Sequence, residues 1–266
     1  MIVVGVDGST AARAAVAWAA NDAFRTHQPL RLVHAVDRQP YQIPRFPEPG
    51  VPDPLLTTGK KALDEAVALV RERQPGVEVV ALLEEGPPAT ILREQAGSAT
   101  ELVMGSRGLG PVAGALLGSV SDQVAGHADA PVVVVQARRR PVYGRVVVGV
   151  DDAPECLPAL GYAFEQAALR GAELLVVHAG RDDRAEREAM VRRLLEPYTR
   201  RYSDVAVTGD VRPAAPAEAL TAASEEADLL VVGSRGRRGV TSALLGSVSR
   251  GVLHHARCTV AVVRAA

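Results

Sequence analysis

One stretch of this chain occurs twice, and that duplication limits the fold more than any other feature. Gly105 to Ser121 and Gly233 to Ser249 both read G-x2-G-x9-G-S. Each copy follows a short apolar run, Glu101 to Met104 or Asp228 to Val232. Each precedes a short helical pattern and then a β-branched run, Pro131 to Val135 or Thr259 to Val263. The match extends outward. Val3-Val-Gly-Val-Asp7 aligns with Val147-Val-Gly-Val-Asp151 at an offset of 144, and Leu32-Val-His-Ala35 aligns with Val176-Val-His-Ala179. From Val77 onward the offset is 128. A long-period repeat implies one supersecondary unit used twice. The 16-residue difference in offset places an insertion between His34 and Val77.

Within each half, strand and helix patterns alternate. In the first they are a strand at Ile2 to Val6 and a helix capped by Ser9 or Thr10 with Ala14, Ala15, Trp18 and Ala19 at helical spacing. A strand at Leu30 to Val36, a helix at Lys60 to Arg73, a strand at Val77 to Leu83 and a helix at Ala89 to Ala96 follow. A strand at Leu102 to Met104, the glycine stretch, a helix from about Ser119 and a strand at Val132 to Val135 complete the half. The second half has strands at Val146 to Val150, Glu173 to His178, Val205 to Val207, Leu229 to Val232 and Val260 to Val263. Such alternation predicts a parallel sheet with right-handed crossovers and helices on both faces. The expectation is an α/β protein of two tandem domains, 1–137 and 145–266. Residues 138–144, charged and unpatterned, are the linker. The inserted segment from Gln39 to Thr58 holds prolines at 40, 44, 47, 49, 52 and 54. It reads as a loop rather than regular structure, because proline lacks a backbone donor and restricts its neighbour.

Composition closes off other classes. A net charge of −1 argues against a nucleic-acid-binding surface. The two cysteines, Cys156 and Cys258, make no metal spacing and no disulfide framework, which suits a reducing compartment. Neither a signal-peptide pattern nor an apolar run of membrane-spanning length occurs. The expectation is a cytoplasmic protein without membrane contact.

In an open doubly wound sheet, ligands bind beyond the carboxyl ends of the strands. Asp7, Ala35 and Gly105 stand there in the first half, and Asp151, Ala179 and Gly233 in the second. If the first and fourth strands are neighbours, Asp7 faces the glycine stretch across a crevice. Gly105 and Gly108 allow positive φ and let a bulky anion approach the backbone. Gly118-Ser119 opens a helix, where free N–H groups and the helix dipole attract phosphate, and the Ser119 and Ser121 hydroxyls add donors. Gly233, Gly236, Gly246, Ser247 and Ser249 repeat these roles. A G-x-x-G turn followed by an ordinary helix cap is the competing account of the same residues. The P-loop pattern is absent, and no lysine lies near either copy, so Arg107 and Arg235 are the side-chain cations available. His34 and His178 read as packed or hydrogen-bonded strand residues, and Glu84-Glu85 as an acidic turn. His127, His254 and His255 form no metal pattern. No nucleophile elbow or paired-carboxylate arrangement recurs, so no catalytic residue is assigned.

The V-G-V-D strand end, the V-H-A second strand and the G-x2-G-x9-G-[ST] signature together resemble the universal stress protein family, over nearly the whole chain. The signature resembles that of the family's ATP-binding branch. The resemblance implies two Rossmann-like domains, each with a five-stranded parallel sheet in the order 3-2-1-4-5. It implies ATP, with Mg²⁺ carried on its phosphates. Asp7 would meet the nucleoside and Ala35 the adenine through its backbone. Met104 and Gly105 would line the ribose and phosphate side, and Arg107, Gly108, Gly118, Ser119 and Val120 the phosphates. The matching second set is Asp151, Ala179, Val232, Gly233, Arg235, Gly236, Gly246, Ser247 and Val248. The resemblance further implies pairing of the domains through their fifth strands within one chain, and a homodimer. The second half departs where Gly8-Ser9 becomes Asp152-Ala153, Gly86 becomes Ala214 and Met104 becomes Val232. ATP is nonetheless expected in both halves.

The function expected is nucleotide-dependent regulation in the stress response. A slow ATPase or nucleotide transferase, and a nucleotide-free interaction module, are the alternatives. The proline-rich segment 39–58 follows the second strand and is expected to cover the first site.

Overall fold

A computed structural model of the chain describes residues 1–38, 52–108, 117–138, 140–181, 183–234 and 245–265. It divides into two compact units, Met1–Val124 with Ala128–Ala137, and Arg138–Ala266 with Ala125–His127. The first contains β1 (Ile2–Gly5), α1 (Thr10–Thr26), β2 (Leu30–Val36), α2 (Pro54–Arg73), β3 (Val79–Glu85), α3 (Pro88–Ala96), β4 (Glu101–Gly105), α4 (Ser119–His127) and β5 (Val132–Val135). The second contains β6 (Arg145–Val150), α5 (Leu157–Arg170), β7 (Glu173–Ala179), α6 (Arg184–Arg201), β8 (Val207–Arg212), α7 (Pro216–Ala223), β9 (Leu229–Gly233), α8 (Ser247–His255) and β10 (Thr259–Val263).

All strand pairings within a unit are parallel. The order is β3-β2-β1-β4-β5 in the first unit and β8-β7-β6-β9-β10 in the second. The expected 3-2-1-4-5 order is therefore present in each. Central strands carry almost no exposed surface: Val3, Val4, Leu102 and Val103 in one unit, and Val146, Val147, Leu230 and Val231 in the other, are buried. Burial on both faces explains why these strands read as unbroken apolar runs rather than alternating ones.

The helices lie on both faces. Gly5 points at Leu92 of α3 with Met104 beside it, and the next residue along β4, Gly105, points at Ala11 of α1. Successive strand residues face opposite sides, so α1 and α3 cover opposite faces. The buried stripe of α1 is Ala11, Ala12, Ala15, Val16, Ala19, Ala20 and Ala23, small enough for close contact with the sheet. In the second unit the place of Ala20 is taken by Phe164, which stacks on Tyr198 of α6 and on Tyr202, the C-cap of that helix, with ring centroids at 5.1 and 5.5 Å.

Three boundaries differ from the sequence expectation. The helix after the insertion begins at Pro54, not Lys60, because Asp53 caps it by accepting from Leu55 and Leu56 N–H and Pro54 suits a first turn. Residues 54–58 are thus helix, and the expected cover over the first site, 39–51, lies outside the described residues. The third strands run later than expected, so Glu84 and Glu85 end β3 rather than follow it, and β8 reaches Arg212.

The helix ends match between units in a way that exposes a local cost. Both α1 and α5 finish in the left-handed conformation, at Gly171 (φ 59°) and at His27 (φ 52°). A side chain there costs about 1 kcal/mol. His27→Gly is expected to stabilise the chain by about 1 kcal/mol, read as a higher melting temperature by calorimetry.

Candidate functional site

At the carboxyl edge of a parallel sheet each strand ends on a carbonyl that needs a donor. In the first unit, Val6 O accepts from His34 Nδ1 at 2.8 Å, Val36 O from Gly86 N–H at 3.0 Å, and Gly105 O from Ser121 Oγ at 2.9 Å. These bonds fix the rim on which the candidate residues stand. The bond to a carbonyl makes Nδ1 of His34 the protonated nitrogen. Burial holds the His34 pKa below the usual imidazole range, against the opposing pull of the Val6 carbonyl and Asp7. His34 and its counterpart His178, whose Nδ1 meets Val150 O at 3.0 Å, are structural, as their strand positions suggest.

Asp7 follows β1 and turns the chain back on itself. Its Oδ1 accepts from Ser9 N–H at 2.9 Å, and Gly8 between them holds φ +83°, a conformation that favours glycine. Ser9 Oγ accepts from Ala12 N–H at 3.1 Å, capping α1, and donates to Arg107 O at 3.3 Å. One serine therefore ties the start of α1 to the start of the glycine stretch, a link that the sequence did not reveal. Of the two candidate caps, it is Ser9 that caps.

Gly105 and Gly108 are glycines for a different reason from the one expected. Neither has positive φ. A Cβ on Gly105 would lie 2.6 Å from the backbone carbon of Ala11, and one on Gly108 would lie 2.5 Å from Asp7 Oδ2. Both positions are needed for close approach, one of helix to strand and the other of the glycine stretch to Asp7. The juxtaposition of Asp7 with the glycine stretch is thus present, and adjacent β1 and β4 produce it.

Beyond the interior of the stretch, 109–116, the chain returns at a narrow neck. Gly118 N–H donates to Ser106 O at 2.8 Å. Gly118 is the N-cap of α4 and makes no side-chain cap bond to the N–H groups of the first turn, around Ser119 and Val120. Ser119 and Arg107 are exposed, Met104 is buried in β4, and Ala35 lies near the end of β2. The Ser121 hydroxyl, expected as a phosphate donor, is instead buried and spent on Gly105 O.

The second unit repeats this frame. Gly246 N–H donates to Ser234 O at 2.9 Å, Gly246 caps α8 without a side-chain bond, and Ser249 Oγ donates to Gly233 O at 2.5 Å, so its hydroxyl too is spent. Ser247 and Val248 open α8, Val232 and Gly233 end β9, and Ala179 ends β7. Arg235 and Gly236 lie outside the described residues. Asp151 Oδ1 accepts from Ala153 N–H at 3.2 Å, but Ala153 offers no hydroxyl, and α5 is entered through a 3-10 turn, Pro154–Cys156. Cys156 is buried there, and burial pushes its thiol pKa up.

The rims diverge further at the second and third strands. In the first unit, Arg38 Nη2 meets Asp53 at 2.6 Å and Arg38 Nε meets Glu85 at 3.0 Å. The Arg38 guanidinium holds the Asp53 carboxyl below the usual carboxylate range. The second unit places Arg187 at this edge, with its guanidinium on Gly180 O and Arg212 O.

Glycine at position 105 is expected to be required for packing whatever binds nearby. Gly105→Ala should cost about 1–3 kcal/mol in denaturant unfolding. The control Gly76→Ala, whose Cβ meets nothing within 4 Å, should not.

Comparison with known proteins places the whole frame. The model of the Universal stress protein family matches residues 1–136 and again 143–264. Universal stress protein Rv2005c of Mycobacterium tuberculosis is 36% identical over 286 residues, covering 99% of this chain and 96% of its own. Universal stress protein Rv2623 of the same species is 35% identical over 292 residues, with the same coverages. Among solved structures, a universal stress protein from Archaeoglobus fulgidus shares the fold with a TM-score of 0.74 at 21% identity. It covers 99% of this chain and 95% of that one.

Proposed function

The chain belongs to the universal stress protein family, and from that premise we propose that its units are nucleotide-binding modules, ATP being the ligand of the first. The observation that carries this is the neck of the glycine stretch. In both units a helix opens on a glycine with no side-chain cap, and in the first it does so beside a backbone that crowds Asp7. Serine or aspartate would cap these helices better. A glycine that offers the first-turn N–H groups no side-chain cap suits an acceptor brought by a ligand, and phosphate fits that place.

In this arrangement the phosphates sit on Ser119 and Val120 N–H, with Arg107 at the mouth. The ribose lies against Asp7 and Gly105, and the base runs toward Ala35 over β2. In the second unit, Ser247 and Val248 N–H receive the phosphates, and the ligand crosses Asp151 toward Ala179. Gly246 and Gly233 have the places of Gly118 and Gly105. Arg235 and Gly236 complete the second set by sequence correspondence. Among the described residues, no three His, Cys, Asp or Glu side chains gather as a metal site. Mg²⁺, in this reading, is carried on the phosphates of the nucleotide. Among them also, no helix is long and apolar enough to cross a membrane.

The biological role we propose is regulatory: nucleotide occupancy sets the state of the rim and hence the choice of partner in the stress response. In this reading carboxylates and backbone N–H groups hold the nucleotide.

Gly118→Asp separates this function from the competing helix-cap account. Aspartate is a better N-cap than glycine by a few tenths of a kcal/mol, so the variant should melt no lower than the parent. The same carboxylate lies where phosphate would, so ATP affinity at the first unit should fall at least about tenfold in calorimetric titration. Gly246→Asp should do likewise at the second. Unchanged binding in both variants would leave the glycines as turn residues. ADP release measured alongside tests the regulator against the slow ATPase: steady turnover abolished by Gly118→Asp would favour the enzyme.

A further inference from the structure

Helices α2 and α6 are the same element of the duplicated unit, ending at Arg73 and Arg201 at the common offset of 128. Their inner faces correspond, with Gly59 and Leu63 buried on one where Arg187 and Val191 are buried on the other. Their outer faces carry opposite charge. Asp64 and Glu65 stand on α2 at the positions where α6 has Arg192 and Arg193, and all these residues are exposed.

The two arginines find no counter-charge within their own unit. The acids one turn away on α6 are taken, Glu188 by Arg184 and Glu196 by Arg200. Among the described residues, no carboxylate forms an ion pair with Arg192 or Arg193. Beside them, between α6 and the edge strand β8, lies a cleft of about 550 Å³. Arg192, Arg193, Glu196 and Ala189 stand along its helix wall, and Leu195 and Val207 give it an apolar lining. On α2 the acids are equally available. Asp64 has no ion pair among the described residues, and Glu65 reaches Arg13 at 3.8 Å with both side chains well exposed.

We propose that the cleft beside α6 receives α2 of a second copy of this chain, so that the protein self-associates through the outer faces of these two helices. Lys61, Asp64, Glu65 and Ala68 have the i, i+3, i+4, i+7 spacing of one helix face, and so do Ala189, Arg192, Arg193 and Glu196. Laid antiparallel, the two stripes set Asp64 opposite Arg193, Glu65 opposite Arg192 and Lys61 opposite Glu196. Ala68 then meets Ala189, where small residues let the axes approach to about 8–10 Å. Each charged pair along these stripes is of opposite sign, and the helix dipoles oppose one another. Exposed ion pairs are worth little singly, but here they form a set beside an apolar lining that excludes water. The net charge of −1 brings no overall repulsion between copies, so the local pattern decides. This contact does not depend on the nucleotide function proposed above.

The test measures the mass of the full chain by light scattering and its self-dissociation constant by sedimentation equilibrium. The parent should associate above the monomer mass, and more weakly as salt rises from about 0.05 to about 0.5 M. Asp64→Arg with Glu65→Arg, or Arg192→Glu with Arg193→Glu, should weaken association at least about tenfold. All four positions are exposed, so both variants should melt close to the parent. An equimolar mixture of the two double variants should regain the parent's association, as should the chain carrying all four substitutions, because opposite charges then meet again. A parent that stays monomeric at every concentration would overturn the inference and leave the cleft to another anionic occupant. Double variants that associate as the parent does would also overturn it, as would a mixture and a fourfold variant that both remain dissociated.

Discussion

A parallel sheet leaves a row of carbonyl oxygens along its carboxyl edge, and each must find a donor once the strand has ended. That demand organises both units. His34, Gly86 and Ser121 answer Val6, Val36 and Gly105 in the first. His178, Arg187 and Ser249 answer Val150, Gly180 and Gly233 in the second. Buried backbone polar groups are seldom left unpaired, so these side chains are held by accounting rather than by the ligand. What remains on the rim is the set that can turn outward: Asp7, the glycine backbone and the first turn of α4.

Seen this way, the units are copies whose differences cluster. Where the first uses a glycine N–H on Val36 O, with Gly86 at φ +148°, the second has Ala214, and a guanidinium takes over the carbonyl. Where the first caps its opening helix with Ser9, the second has Ala153 and a 3-10 entry. The frame of strands and neck is the same in both, and the substitutions gather beside the crevice. A duplicated fold can diverge in this manner without losing stability, because each carbonyl needs a donor but not a particular one.

Much of this was legible in the residues. The repeat, the strand order and the opposition of Asp7 to the glycine stretch follow from short apolar runs and a fixed glycine spacing, all of them local signals. The reasons behind individual residues were not. Gly105 answers to Ala11, far away in the chain, and no local pattern reports that contact. Ser121 looked like a phosphate donor because its hydroxyl is anonymous until Gly105 O is placed beside it. Nothing in the local pattern marks Arg187 as the residue that meets Gly180 O. The early start of α2 is encoded by Asp53-Pro54, a helix-opening pair, at the end of a proline-rich run that has no helical pattern of its own.

The neck has a consequence for how such proteins change. Ser106 with Gly118, and Ser234 with Gly246, close the glycine stretch by backbone bonds, and Ser121 and Ser249 bolt the following helix to the strand. The sequences between already diverge, Leu-Gly-Pro in one copy and Arg-Arg-Gly in the other after the second glycine. What the two copies share is the socket: its bonds accept from and donate to backbone, so the same closure is available to either sequence.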